Sequence, residues 1–215
     1  MGVAQQTPAL PIKCCRTLFQ QEPCVVDIVF GILGLHRQEV FMNIACLLGP
    51  LFEDSEFQKP YEAFQKEGHK VTIIGLEAEQ SLKGAKGKVE TKTDKSIDEV
   101  KPEQFDALLI PGGVSPDKLR VNDKVVDFVQ RMFDSKKPIF AICHGPQLLL
   151  TADRYKGYKL TAWKTVLGDL QKAGADVVDE VVVLDHNVVT SRMPDDIPQF
   201  IEKSVSLLQK QAAVK

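Results

Sequence analysis

The chain is poor in the features that mark several large classes of protein. Among its 215 residues only five are cysteine, at positions 14, 15, 24, 46 and 143. That is an odd number without two Cys-x-x-Cys units, so neither a disulfide scaffold nor a zinc module is indicated. Such usage suits a reducing compartment, and the expectation is a cytoplasmic protein. No basic block disturbs the balance of 27 Lys+Arg against 29 Asp+Glu, a formal net charge of -2, which argues against dedicated nucleic-acid binding. The one apolar run of note, Val25 to Leu35, is broken by Asp27, Gly31 and Gly34. It is too short to span a membrane and lacks the cleavage site of a signal peptide. The four histidines, at 36, 69, 144 and 186, show no ligand spacing, so no metal is expected. After Pro111-Gly112-Gly113 the residues Ser115-Pro116-Asp117-Lys118 match neither a Rossmann nor a P-loop pattern, so no nucleotide cofactor is expected.

What the chain does have is a regular alternation of apolar strands and amphipathic helices from Met42 onward. Ile44–Leu48 reads as a strand, followed by a helix capped by Asp54 or Ser55 and running to about Lys66. Val71–Ile74 is the next strand, and Val89, Thr91 and Thr93 alternate as in a small hairpin arm. Phe105–Ile110 is a strand ending at Pro111-Gly112-Gly113, and Asn122 precedes a helix with Val125, Val126, Phe128, Val129 and Phe133 on one side. Ile139–Ile142 is a short buried strand, and Gly145 and Pro146 open a helix after it. Leu160–Ala162 reads as a strand, Val166–Lys172 as a helix, Val177–Leu184 and Val188–Thr190 as two strands about the turn Asp185-His186-Asn187, and Asp196–Gln209 as the last helix. This pattern predicts an α/β fold, a mostly parallel sheet sandwiched by helices. The expected domain covers 42–210, with a short tail at 211–215. Residues 1–41 are poorly patterned and are expected to be a weakly ordered extension, or the product of a start placed too early.

Ligand sites in such folds lie beyond the C-terminal strand ends, where three segments of interest fall. Cys143 sits where a strand stops and a helix begins, facing the helix's unpaired N–H groups, which favours a nucleophile with a lowered pKa. Its other reading is a small buried hydrophobe. Neighbours in sequence need not face each other, so His144 is either a base for Cys143, a group that orients substrate, or a space filler. Glu53 is either an acid that donates to the sulfur or a first-turn acid held by the helix dipole; Asp54 and Glu56 are read as first-turn acids. Gly112 and Gly113 permit tight backbone geometry and offer two N–H donors for an oxyanion hole, or form only a turn. Arg192 is read as a brace for the C-terminal loop, and His69 and His186 as structural or solvent-facing.

Taken together, Glu53-Asp54, Pro111-Gly112-Gly113, Ala141-Ile142-Cys143-His144-Gly145-Pro146 and Thr190-Ser191-Arg192-Met193-Pro194-Asp195-Asp196 resemble the ThiJ/PfpI superfamily, in its PfpI-like intracellular peptidase or general stress protein branch. The resemblance implies a flavodoxin-like or class I glutamine amidotransferase-like sheet with a nucleophile elbow. It implies Cys143 as nucleophile, Glu53 as the acid at its sulfur, His144 as the histidine after it, and Gly112 and Gly113 as an oxyanion hole. Asp117 matches an acidic position that in peptidase-like relatives reaches a neighbouring subunit's histidine, although glutamate is usual there. A homodimer or homohexamer is implied, with no cofactor. The favoured activity is conversion of 2-oxoaldehydes (methylglyoxal to lactate) or removal of early glyoxal adducts from protein side chains. An intracellular cysteine peptidase is the alternative, and a redox-sensing stress or chaperone-like protein a further one.

Overall fold

The computed structural model describes residues 41–212; the expectations for 1–40 and for 213–215 lie outside the described residues. Seven strands form one sheet in the order β10-β11-β7-β6-β1-β2-β5. They are β1 (Asn43–Leu47), β2 (Lys70–Gly75), β5 (Lys95–Ser96), β6 (Ala107–Ile110), β7 (Ile139–Ile142), β10 (Val182–Asp185) and β11 (Val188–Ser191). Every pairing is parallel except β10 with β11. The expected hairpin arm is β3 (Ser81–Lys83) with β4 (Glu90–Lys92).

The sheet is apolar on both faces because its strands carry no polar alternation, as burial on both sides requires. Side chains of period two feed two cores. Ala45, Leu47, Leu108, Ile110, Ile139 and Ala141 join one, and Ile44, Cys46, Ala107, Leu109, Phe140 and Ile142 join the other. On the first face lies α3 (Asp123–Asp134), which buries Val125, Phe128, Val129, Met132 and Phe133. Its cap is the expected one: the Asn122 side chain accepts from the N–H of Lys124 at 2.9 Å. The second face is covered by α1 (Asp54–Lys66) and α6 (Ile197–Ala212). On α1 the buried residues are Asp54, Glu56, Phe57, Pro60 and Phe64, so two acids stand on the stripe that meets the sheet.

Chain order explains where the site falls. From β1 the chain proceeds outward to β2 and β5, then returns to β6 on the other side of β1. Such a reversal opens a crevice at the carboxyl ends of the two central strands. The loops after β1, β6 and β7 all leave at that end.

The strands expected at Phe105–Ile110 and Leu160–Ala162 are observed at Ala107–Ile110 and Lys159–Leu160, and two further elements differ more. The single strand drawn over Val177–Leu184 is broken: β9 (Asp176–Val177) pairs with β8 (Lys159–Leu160), and β10 begins only at Val182. The last helix runs to Ala212 rather than stopping near Gln209, and starts at Ile197 after a 3-10 turn at Pro194–Asp196.

Candidate active site

Cys143 follows β7 directly and has φ +61°, a left-handed conformation that costs a non-glycine residue energy and persists only where surroundings enforce it. Three bonds do so. The Cys143 N–H donates to the Ser191 carbonyl at 2.9 Å, its carbonyl accepts from Trp163 N–H at 3.0 Å, and Gly145 N–H closes on the Ile142 carbonyl at 2.8 Å. The helix beyond, α4 (Pro146–Thr151), starts at Pro146. Reversing the backbone at Cys143 also brings the adjacent ring round. Sγ of Cys143 lies 3.2 Å from Nδ1 of His144, a contact that neighbouring residues on a regular strand or helix do not make. Cys143 keeps only 7% of its surface exposed, so the residue is enclosed.

The carboxyl at the sulfur is Glu56, not Glu53. Glu56 is fully buried at 0% exposure. Its Oε2 accepts the N–H of Gly112 at 3.1 Å. Its Oε1 has no hydrogen-bond partner among the described residues, and the carboxyl as a whole interacts with the Cys143 thiol. Glu53 sits at the N-cap of α1 without a side-chain capping bond. It turns outward to Lys86 Nζ at 2.8 Å and accepts from Ser55 Oγ at 3.2 Å. Glu56 does stand in the first turn of α1, as expected, but the helix dipole is not its main partner, because it lies four residues before Pro60 and beside Phe57 on the buried stripe. That position was the signal available in sequence: a carboxylate on the apolar side of an amphipathic helix is unexpected unless something inside uses it. Asp54 likewise does not cap the helix. Its buried carboxylate accepts from the N–H groups of Lys86, Lys88 and Val89 at 2.9, 2.8 and 2.8 Å. Burial works to raise its pKa, but those backbone donors prevail and hold it below the usual value. They also tie the 84–89 loop down beside Glu53.

Burial pushes Glu56 up to about 8, with the charge of Glu53 adding to it and the Cys143 and Gly112 hydrogen bonds opposing. At neutral pH it therefore carries a proton. The Cys143 thiol is pushed up, not down as its place before a helix suggested: burial leads, followed by the Glu56 charge and the Glu56 hydrogen bond. The N–H groups of Gly113 and His144 act in the other direction. Two acids this close titrate as a pair. A proton resting on Glu56 removes the repulsion and leaves a neutral donor facing the sulfur.

The two glycines part company. Gly112 spends its N–H on Glu56 and so is not a free oxyanion donor; its lack of a side chain is what admits the carboxyl. A Cβ there would collide with Glu56 Oε2 and stand 2.7 Å from Cβ of Cys143. Gly113, at φ +77°, directs its N–H to the Cys143 sulfur, as does His144. Asp117 is bound to Arg120, 2.8 Å from Nη2, and reaches His144 only through its charge. Burial lowers the His144 pKa and the Asp117 charge opposes this, so the imidazole is neutral at neutral pH. Trp163, which sequence reading did not single out, stacks on the His144 ring with centroids 6.4 Å apart and planes 30° apart.

Away from the thiol, Arg192 braces its loop as expected, bridging Asp196 at 2.9 Å and Asp179 at 2.8 Å. His186 is exposed in its turn beside Asp185, whereas His69 keeps both ring nitrogens buried and unpartnered. No described helix is long and apolar enough to cross a membrane.

An α/β sheet that seats a thiol on a left-handed strand-to-helix corner falls in the nucleophile-elbow class of proteins. Within that class the chain belongs to the DJ-1/PfpI family, whose model matches residues 42–207 and whose branches include stress proteins, deglycases and cysteine proteases. General stress protein 18 of Bacillus subtilis is 51% identical over 169 residues, covering 78% of this chain and 98% of that protein. Protein/nucleic acid deglycase 2 of Escherichia coli is 51% identical over 167 residues, 77% of this chain and 97% of that one. Among solved structures, a two-domain protein of Anabaena variabilis with a DJ-1/ThiJ/PfpI-like and a ferritin-like domain superposes with a TM-score of 0.76 at 36% identity. The match covers 78% of this chain and 48% of that protein, so this chain spans about half its length.

Proposed function

We propose that the protein converts small 2-oxoaldehydes to 2-hydroxy acids, and releases their early adducts from protein side chains, by cofactor-free chemistry at Cys143. The observation that carries this reading is the sulfur placed between a neutral imidazole 3.2 Å away and a carboxyl that holds its proton at neutral pH. One group is ready to take a proton and the other to give one. With methylglyoxal, the thiol S–H adds across the aldehyde: the C–S bond forms, His144 takes the thiol proton, and Glu56 protonates the aldehyde oxygen. The hydrogen on the same carbon then moves to the adjacent keto carbon as a proton, through an enediol. The result is a thioester bearing the new hydroxyl. Water cleaves the C–S bond, giving lactate, a proton and the free thiol, and the proton held by His144 passes back to Glu56, so that methylglyoxal plus water equals lactate plus one proton and nothing else is consumed. The Gly113 and His144 N–H groups that face the sulfur also face the oxygen that gains charge when water attacks.

A thiol with so little of its surface exposed suits a three-carbon aldehyde better than an extended peptide, which needs an open groove. A relative at 51% identity is named a protein/nucleic acid deglycase, which supports extending the reading to early adducts on protein side chains. The test is product analysis with methylglyoxal for the wild type, Cys143→Ser and Glu56→Gln. Lactate from the wild type alone supports the reading. Absence of lactate from the wild type, or peptide cleavage that tracks Cys143 in its place, overturns it.

A further inference from the structure

Trp163 is the single tryptophan of the chain, and the elbow itself fixes its position. Its N–H donates to the carbonyl of Cys143 at 3.0 Å, so the residue is fastened to the backbone of the nucleophile. Two residues earlier, the N–H of Thr161 donates to Oγ1 of Thr190 at 2.9 Å within the interior. That bond ties the approach to β11, beside the Cys143 strand. From this anchored backbone the indole lies stacked against the ring of His144, while 37% of the residue remains exposed. The same imidazole meets the sulfur through Nδ1 at 3.2 Å. Rotation of the His144 side chain away from Cys143 would give up that stacking, because the backbone segments that carry the indole and the sulfur are tied together by the Trp163 to Cys143 hydrogen bond.

We propose that Trp163 is a positioning residue of this site, the aromatic wall that holds the His144 imidazole with Nδ1 at the Cys143 sulfur. Two titratable groups bear on that imidazole besides the indole. Asp117 in α2 (Ser115–Leu119) acts by its charge. The Cys143 thiol is in contact with Nδ1, while Glu56 bears on the thiol rather than on the ring. Removing the indole exposes the ring and frees its rotation, so both the proton affinity of His144 and the rate at which the sulfur reacts should change together. The inference rests on Cys143 being the reactive thiol, but not on which carbonyl compound it attacks.

The experiment has two arms. Tryptophan emission of the wild type is followed from pH 4 to 8, since a protonated imidazole against an indole quenches it. We expect a transition below the ordinary imidazole value of 6.5 that is absent from His144→Asn. In parallel, alkylation of Cys143 by iodoacetamide, located by mass spectrometry, is followed against pH for the wild type, Trp163→Ala and Trp163→Phe. The alanine variant should react about tenfold more slowly, the order expected when a reacting group loses its orientation, with its acid limb moved upward; phenylalanine should restore most of both. Emission that ignores pH, or that changes identically in His144→Asn, overturns the proposal. So does a Trp163→Ala profile that superimposes on the wild type. If the alanine variant fails to fold, the wild-type emission read against His144→Asn still decides. Failure to turn over methylglyoxal with both arms as expected would sink the proposed reaction and leave this inference standing.

Discussion

Replacing Glu56 by glutamine removes a proton from the interior while keeping the shape of the side chain. The amide oxygen can still accept the Gly112 N–H. Folding raises the Glu56 carboxyl from 4.5 to about 8, chiefly by burial. A group whose folded value lies above its unfolded one contributes fully below the unfolded value. That contribution is lost as pH rises through the folded value. The window is therefore about pH 4.5 to 8, and stability should fall across it. At 1.36 kcal/mol for each tenfold change in proton affinity, the whole effect is at most about 5 kcal/mol. Urea unfolding of wild type and Glu56→Gln at matched pH values reads it as a difference. His69 and His144 are both lowered by burial, and Asp54 is held low by its backbone donors. These groups are common to both proteins and cancel. The expected difference curve slopes against the wild type from pH 5 to 8 and then levels off. Parallel curves for the two proteins would refute the claim that Glu56 is folded in its neutral form.

Gly112→Ala should abolish alkylation of Cys143 by displacing Glu56 and the elbow together, at a stability cost of about 1–3 kcal/mol, readable by urea unfolding beside iodoacetamide labelling. Asp54→Ala should free the three N–H groups of Lys86, Lys88 and Val89 and cost about 1–3 kcal/mol; limited proteolysis should then cut within 84–89 well before the wild type is cut. Phe64→Ala removes a fully buried ring whose centroid lies 5.4 Å from that of Phe140, and thermal or urea unfolding should show a loss of about 3–5 kcal/mol.

Most of the framework was legible because strand and helix periods differ, and because this sheet is apolar on both faces. Asn122, followed by an amphipathic run, announced its helix, and Ile139–Ile142 matched its strand residue for residue. The break inside Val177–Leu184 was hidden, since a continuous β-like pattern does not show that its first residues pair with β8 and its last with β11. At the site, the strand-to-helix junction marked Cys143, but its positive φ was not visible, and with it went the contact to His144. Choosing between Glu53 and Glu56 needed the phase of α1 against the sheet, three residues deciding between a rim ion pair and an interior proton. The fate of the Gly112 N–H depended on that same choice. Trp163 enters through a backbone bond from 20 residues downstream, which no local pattern reveals.

At neutral pH the Cys143 thiol and the Glu56 carboxyl each hold a proton, and the two titrate as a pair. The most direct measurement is the rate of Cys143 alkylation against pH, site-resolved by mass spectrometry, in wild type and in Glu56→Gln. Above the acid limb that His144 sets in both proteins, the wild type should show two steps, one near 8 where the pair gives up its first proton and one above the ordinary thiol value where it gives up the second. Glu56→Gln should show a single step. One ordinary thiol titration, the same in both proteins, would contradict the account.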